Sequence, residues 1–156
     1  SRGLGDVYKR QHKYIGMNGR LDTIQAAVLN VKLEHFKEEL KKRAEIASKY
    51  SEKLKNIQGI ILPFVKNDRT SVFAQYSIRV KKRDEIIKKL NEAGIPTAIH
   101  YPVPMHLQEA CGHLGYKEGD FPVSEAVSRE IMSIPMGPFL KEDDLEYIVS
   151  GIKSNI

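Results

Sequence analysis

From Asp22 to about Leu54 the apolar residues recur at steps of three and four. Ile24, Val28, Val31 and His35 share one stripe, and Phe36, Leu40, Ala44, Ala47, Tyr50 and Leu54 carry an apolar line onward. That spacing marks one face of a helix. The run is longer than ordinary globular helices, so it predicts either one long helix or two with a bend. Asn56 and Gly59 then supply stop signals. Residues 72–80 alternate instead, with Val72, Ala74, Tyr76, Ile78 and Val80 facing one way and Phe73, Gln75, Ser77 and Arg79 the other. This is the pattern of a half-buried strand. Asp84 is placed to cap a helix carrying Ile86, Ile87, Leu90 and Ala93, and Gly94 to end it. A short strand over 97–99, a helix over 122–132, a short strand over 133–136 closed by Pro135, and a helix over 141–153 follow. Glu142, Asp143 and Asp144 in the first turn of the last helix complement its dipole. Strands interleaved with helices predict an α/β or α+β layer, with helices packed on one small sheet.

A chain of 156 residues, 41% apolar and 29% charged, suits one globular domain with a sizeable core. No apolar run approaches the roughly 18 residues of a membrane span, and no charged-then-apolar leader is present. The single cysteine, Cys111, cannot form an internal disulfide, which fits a reducing compartment. The expectation is a soluble, cytoplasmic protein. The net charge of +5 favours an anionic partner only mildly. Lys37, Lys41, Lys42, Lys49, Lys53 and Lys55 interleave with Glu34, Glu38, Glu39, Glu45 and Glu52, the mark of a solvated helix face. There is no ribonucleoprotein motif, zinc-finger spacing or compact basic block, so nucleic-acid binding is weakly supported. Ser1 to Gln11 has no helical or strand period and resembles a translated sequencing adaptor. It is set aside as non-native, in which case the native chain continues upstream.

Two segments are suited to chemistry. Residues 94–106, Gly-Ile-Pro-Thr-Ala-Ile-His-Tyr-Pro-Val-Pro-Met-His, hold His100, Tyr101 and His106 in a loop stiffened by prolines. Such a loop either fixes polar side chains against a bound molecule or is a rigid surface turn. Gly16-Met17-Asn18-Gly19-Arg20 precedes the long helix. There a helix N-terminus, an amide and a guanidinium can converge on an anion, or the segment is a capping loop with a surface arginine. His106, Cys111 and His113 match no common zinc spacing, so no metal site is expected. Gln75 and Tyr76 read as structural, Asp120-Phe121-Pro122 as a helix entry, and Glu125 as solvent-facing. No nucleophile with a base, paired-carboxylate signature or Walker-type phosphate loop is evident.

Six separated blocks nevertheless occur in a recognisable order. They are Gly16-x-Asn18-Gly19-Arg20-Leu-Asp-Thr-Ile-Gln25-Ala-Ala with Lys32-Leu33 and Arg43-x-x-Ile-Ala-x-x-Tyr50; Gln75-Tyr76-Ser-Ile; Arg83-Asp84; Gly94-Ile-Pro-Thr; His100-Tyr101-Pro102-x-Pro104; and Met132-Ser-Ile-Pro135-Met-x-Pro138. From about residue 14 to the C-terminus the chain resembles the sugar aminotransferases of the DegT/StrS type, pyridoxal-phosphate enzymes of the aspartate-aminotransferase fold. The first and fifth blocks look closest to enzymes that aminate a 3-oxo nucleotide sugar, such as a UDP-N-acetyl 3-ketohexuronate. The resemblance implies the C-terminal small domain of that fold, a small, mostly antiparallel sheet covered by helices and preceded by a long connecting helix. Residues 12–55 would form the cofactor and dimer-site loop with that helix, and residues 56–156 the small domain.

The resemblance also implies roles. The asparagine matching Asn18 reaches across a homodimer to the cofactor phosphate, and the arginine matching Arg20 helps bind the anionic sugar nucleotide at the same shared site. His100 and Tyr101 match a loop that touches substrate near the cofactor. The family's Schiff-base lysine lies upstream of everything here, and no lysine of this chain sits in its motif. The parent protein would transfer an amino group, from glutamate, to a keto nucleotide sugar in surface-polysaccharide or amino-sugar biosynthesis, and this chain alone would be inactive. A rival of another class is a non-catalytic basic module that binds an anionic ligand or nucleic acid, recognisable by steeply salt-dependent binding to generic DNA.

Overall fold

The computed structural model describes Gly19 and residues 21–156. The chain forms two units, residues 1–36 and 37–156. A single unbroken helix, α1 (Thr23–Leu54), occupies the periodic N-terminal stretch. In the first unit its side chains Ile24, Val28, Val31 and Phe36 are exposed. In the second, Ile46, Ala47, Tyr50 and Leu54 are buried. The interleaved charges lie on a solvated face, with Lys42 and Glu38 paired at 3.0 Å and Lys41 and Glu45 at 4.0 Å.

The second unit continues through β1 (Ile60–Ile61), β2 (Tyr76–Val80), α2 (Arg83–Glu92), α3 (Pro122–Glu130), β3 (Ile131–Ile134) and α4 (Glu142–Asn155). The strands make one antiparallel sheet in the order β1-β2-β3. Its register decides everything that follows. Tyr76 pairs with Ile134 and Ile78 with Met132, and all four are buried in the core with Leu54, Leu90, Leu145 and Ile152. Side chains alternate across a strand, so the intervening pairs, Ser77 with Ser133 and Arg79 with Ile131, occupy the opposite face. On that face Arg79 donates to the Glu130 carboxylate at 2.7 Å. Lys49 and Lys53 of α1 pair with Glu142 and Glu146 of α4. Gly151 lets α4 pack closely: a Cβ there would stand 2.5 Å from Ile95 Cδ1.

Several boundaries differ from the sequence expectations, each for a local reason. The strand predicted from residue 72 begins at Tyr76. Phe73 has φ of 43°, incompatible with a strand, and its carbonyl accepts from Arg43 Nη1 at 3.2 Å. Asp84 is not the cap of α2. Lys82 occupies that position with φ of 56° and no side-chain cap, while Asp84 accepts from Arg83 Nε at 2.9 Å. The strand over 97–99 shrinks to one bridge between Ala98 and Ser133, because Pro96 and Pro102 nearby have no N–H to extend a ladder. The helix predicted over 122–132 stops at Glu130, and Ile131 already belongs to β3.

Gly94 ends α2 as expected. Its φ is 75°, its N–H donates to Asn91 O at 2.9 Å, and the Ile95 N–H donates to Leu90 O at 2.8 Å. That double closure, with the buried Ile95 packing behind it, is a Schellman motif. Among the described residues no helix is long and apolar enough to cross a membrane.

Candidate functional site

The Gly94 cap reverses the chain and delivers the proline-stiffened loop to the free edge of β3. Ala98 fixes it there: its N–H donates to Ser133 O at 3.1 Å, and the Ser133 N–H donates to Ala98 O at 2.7 Å. Two residues later, His100 returns to the same strand residue through its side chain. His100 Nδ1 lies 3.1 Å from Ser133 Oγ, which lies 2.8 Å from Ser77 Oγ. The cross-strand serine pair on the non-core face thus becomes the seat of an imidazole. Tyr101, joined to His100 by a cis peptide, is 71% exposed and sits edge-on to the His100 ring at 5.5 Å.

Both residues line a groove of about 600 Å³ whose walls include Pro104, Val123, Val127 and Ile131, with Gln108, Ser124 and Ser128 as polar points. Its composition is that of a ligand groove: mostly apolar walls with a few placed polar groups. Across the loop a smaller pocket of about 280 Å³ is lined by Gln75, Thr97, Ser133 and Pro135. His100 borders both spaces.

The groove's outer wall is held by a residue that the sequence pattern misplaces. Glu125 is 3% exposed rather than solvent-facing. Its Oε1 accepts from Gly119 N–H at 2.8 Å, Phe121 N–H at 3.3 Å and His106 Nε2 at 3.1 Å. The His106 ring packs on Phe121 at 4.8 Å. Burial alone would push the Glu125 carboxyl up, but the two backbone donors and the His106 ring outweigh it and hold the group below the usual carboxylate range. One carboxylate therefore ties the loop of His106, the turn before α3 and the first turn of α3 together. Arg83, itself buried, anchors the far end of α3 by donating to Ser128 O. The available signal was a displaced capping box. Phe121 is the N-cap and offers no side-chain acceptor, and the acid that reaches back to its N–H stands four residues on instead of three.

The structure brings His100, Tyr101 and His106 to one groove, where His106 is also tied to the Glu125 carboxylate. His113 Nδ1 lies 3.1 Å from Ala110 O on the surface. Among the described residues, no group of three or more His, Cys, Asp or Glu is placed to hold a metal ion. Asn18 and Arg20 lie outside the described residues.

With this geometry in hand, similarity to known proteins adds a second line of support. The chain is 41% identical over 150 residues to a protein of Geobacillus stearothermophilus called "Pleiotropic regulatory protein", covering 95% of this chain and 40% of that one. It is 37% identical over 148 residues to the UDP-2-acetamido-2-deoxy-3-oxo-D-glucuronate aminotransferase of Pseudomonas aeruginosa, again covering 95% and 40%. Among solved structures, DesV of S. venezuelae superposes with a TM-score of 0.91 at 34% identity, over 98% of this chain and 41% of that one. The chain thus spans about 40% of the length of the relatives it matches, and its small antiparallel sheet with covering helices is that of the fold type I sugar aminotransferases. The family model for DegT/DnrJ/EryC1/StrS aminotransferases matches residues 2–153, and the chain belongs to that family.

Proposed function

We propose that this chain acts as the C-terminal part of a pyridoxal-phosphate-dependent aminotransferase that passes an amino group from glutamate to a keto nucleotide sugar. The observation that carries the reading is the family match over residues 2–153, joined to the groove into which His100 and Tyr101 are set. Similarity to an aminotransferase named for a UDP-3-oxo sugar acid favours a 3-oxo nucleotide sugar as acceptor. Residues 12–55 then form the cofactor and dimer-site loop with its connecting helix, and 56–156 form the small domain. The parent works in the cytoplasm as a homodimer with a site shared between subunits, serving polysaccharide or amino-sugar biosynthesis.

The described residues do not by themselves make a pyridoxal-phosphate site. No lysine or arginine lines the groove, and its walls are largely apolar. The groups that fix the cofactor must come from elsewhere in the assembled enzyme: the Schiff-base lysine from the remainder of the parent, and Asn18 from the neighbouring subunit toward the phosphate. Arg20 helps hold the anionic sugar nucleotide, while His100 and Tyr101 contact the sugar. When bound, the cofactor supplies the electron sink for amino transfer. This chain alone is inactive.

The test joins the chain to its native upstream coding sequence. The product is incubated with glutamate, pyridoxal phosphate and a panel of 3-oxo and 4-oxo nucleotide sugars, and amino-sugar nucleotides are detected by mass. Transfer to a 3-oxo sugar is expected from the joined protein and none from the chain alone. Absence of transfer to every member of the panel would overturn the reading. A borohydride-fixed cofactor adduct on one lysine of the isolated chain would overturn its inactivity.

A further inference from the structure

The function above needs His100 only as a ligand contact, yet the structure supplies that imidazole with dedicated hydroxyl support. Ser133 is 6% exposed, and its main-chain groups are spent on the Ala98 bridge. Its side chain sits between two partners, Ser77 Oγ at 2.8 Å and His100 Nδ1 at 3.1 Å. A serine hydroxyl has a single hydrogen to donate, so three groups in a row cannot choose their roles independently. If Ser133 donates to His100, Ser77 is free to donate to Ser133, and every hydrogen in the row has an acceptor. If His100 donates to Ser133, the Ser133 hydrogen must go to Ser77, and the half-buried Ser77 must send its own hydrogen to water. The first direction agrees with the form that a neutral histidine side chain already favours in water, with the proton on Nε2.

We infer that Ser133, itself oriented by Ser77, is a positioning residue that fixes the tautomer of His100. The row runs from Ser77 O–H to Ser133 Oγ and from Ser133 O–H to His100 Nδ1. The remaining nitrogen, Nε2, then carries a hydrogen. His100 thereby becomes a hydrogen-bond donor of set orientation, suited to a ligand oxygen: a carbonyl, hydroxyl, carboxylate or phosphate oxygen. Its position bordering both the groove and the smaller pocket means that one ring orientation settles which space receives the donor. Second-group hydrogen bonding of this kind is how proteins generally choose between the two nitrogens of a histidine. The role toward a ligand rests on the proposed function; the tautomer does not.

The test is therefore split. On this chain, two-bond nitrogen–proton correlation spectra of the imidazoles at about pH 8, above the usual imidazole range, report which nitrogen of His100 carries the proton. Expected is an unprotonated Nδ1 and a protonated Nε2 in the wild type. Ser133→Ala should replace that pattern with an averaged mixture of tautomers, and Ser133→Thr, which keeps the hydroxyl, should restore it. Ser77→Ala should leave the tautomer unchanged, since Ser133 keeps its own hydrogen for His100. A protonated Nδ1 in the wild type, an unaltered pattern in Ser133→Ala, or a reversed tautomer in Ser77→Ala would each overturn the inference. If Ser133→Ala does not fold, a protonated Nδ1 in the wild type or a reversed tautomer in the half-buried Ser77 variant still overturns the inference.

In the joined full-length enzyme, Ser133→Ala should raise KM for the keto sugar about three- to ten-fold, the worth of one oriented hydrogen bond, with a smaller effect on kcat. An unchanged KM, with the expected spectra, would remove His100 from the ligand while leaving its tautomer fixed by Ser133. Expected spectra in a protein that transfers no amino group would sink the proposed function alone.

Discussion

Tyr50 and Tyr76 offer a sharp test of how the long helix is fastened to the sheet that carries the serine pair. Both rings are fully buried, and they lie 5.1 Å apart. Their hydroxyls nevertheless do different work. Tyr50 donates to Pro135 O at 2.9 Å, joining α1 to the end of β3. Tyr76 lies 2.7 Å from Ser51 Oγ, and Ser51 donates its only hydrogen to Ala47 O at 2.9 Å, so Tyr76 is the donor of that pair. Tyr50→Phe removes a bond and leaves a carbonyl at the strand end without its partner. Adding the net worth of a hydrogen bond to part of the cost of an unpaired acceptor gives about 1–2 kcal/mol. Tyr76→Phe leaves Ser51 bonded to Ala47 and strands no hydrogen, so its cost stays below about 1 kcal/mol. Neither change alters ring volume, so no cavity enters the comparison. Urea unfolding followed by circular dichroism should show a lower midpoint for Tyr50→Phe with an unchanged slope. Its Tm should fall by roughly 2–8 °C for a chain of this size. A Tyr50→Phe protein as stable as the wild type, or a Tyr76→Phe protein that loses more, would refute the assignment of donors and the fastening role of Pro135.

Burial, with the neighbouring Tyr76 adding to it, pushes the Tyr50 hydroxyl well above its ordinary range, and burial also pushes Tyr76 up against the opposing pull of its Ser51 bond. The unfolded chain therefore releases these protons first, and the stability they lend is full below about pH 10 and is lost as pH rises further; alkaline unfolding monitored by tyrosinate absorbance should be delayed in Tyr50→Phe relative to its neutral-pH stability. Glu125 works with the opposite sign: its lowered folded-state value gives stability above the ordinary carboxylate range that is lost as pH falls through that lowered value, so Glu125→Gln should show a shallower decline of stability below about pH 5, and an unchanged acid profile would count against the three-donor arrangement. Gly94→Ala should cost about 1–2 kcal/mol in urea titrations through left-handed backbone strain alone, because nothing lies within 4 Å of an added Cβ. In the full-length enzyme, Asn18→Ala should weaken cofactor retention on gel filtration; unaltered retention would contradict the phosphate contact.

The fold was largely legible because its elements are written in periods that packing respects. The three-and-four spacing from Ile24 to Leu54 became one helix. The Tyr76, Ile78 and Val80 alternation became the central strand. Gly94 stopped its helix by the expected left-handed residue. Errors cluster where a single backbone angle overrules a pattern. Phe73 continues the alternation in sequence but adopts φ of 43°, so Val72 and Ala74 never join the sheet. Asp84 has the chemistry of a cap, yet the chain turns two residues early at Lys82.

The site was legible only in its loop. Two prolines beside His100 and Tyr101 announced rigidity, and rigidity can be read from sequence because it is local. The support for His100 is not local: Ser77, His100 and Ser133 are brought together by strand register and an isolated bridge, and no spacing along the chain encodes that meeting. Glu125 failed for a related reason. An acid in the first turn of a helix ordinarily faces water and the helix dipole, and here three donors from outside the helix, or at its cap, draw it inward. Both cases turn on hydrogen-bond partners that lie elsewhere in the chain. A serine at an internal strand position and an acid one step beyond the capping-box spacing are mild local misfits, and in this chain each marks a side chain whose partner comes from another element. Ser133 and Glu125 are accordingly where substitutions should change the groove most while disturbing the core least.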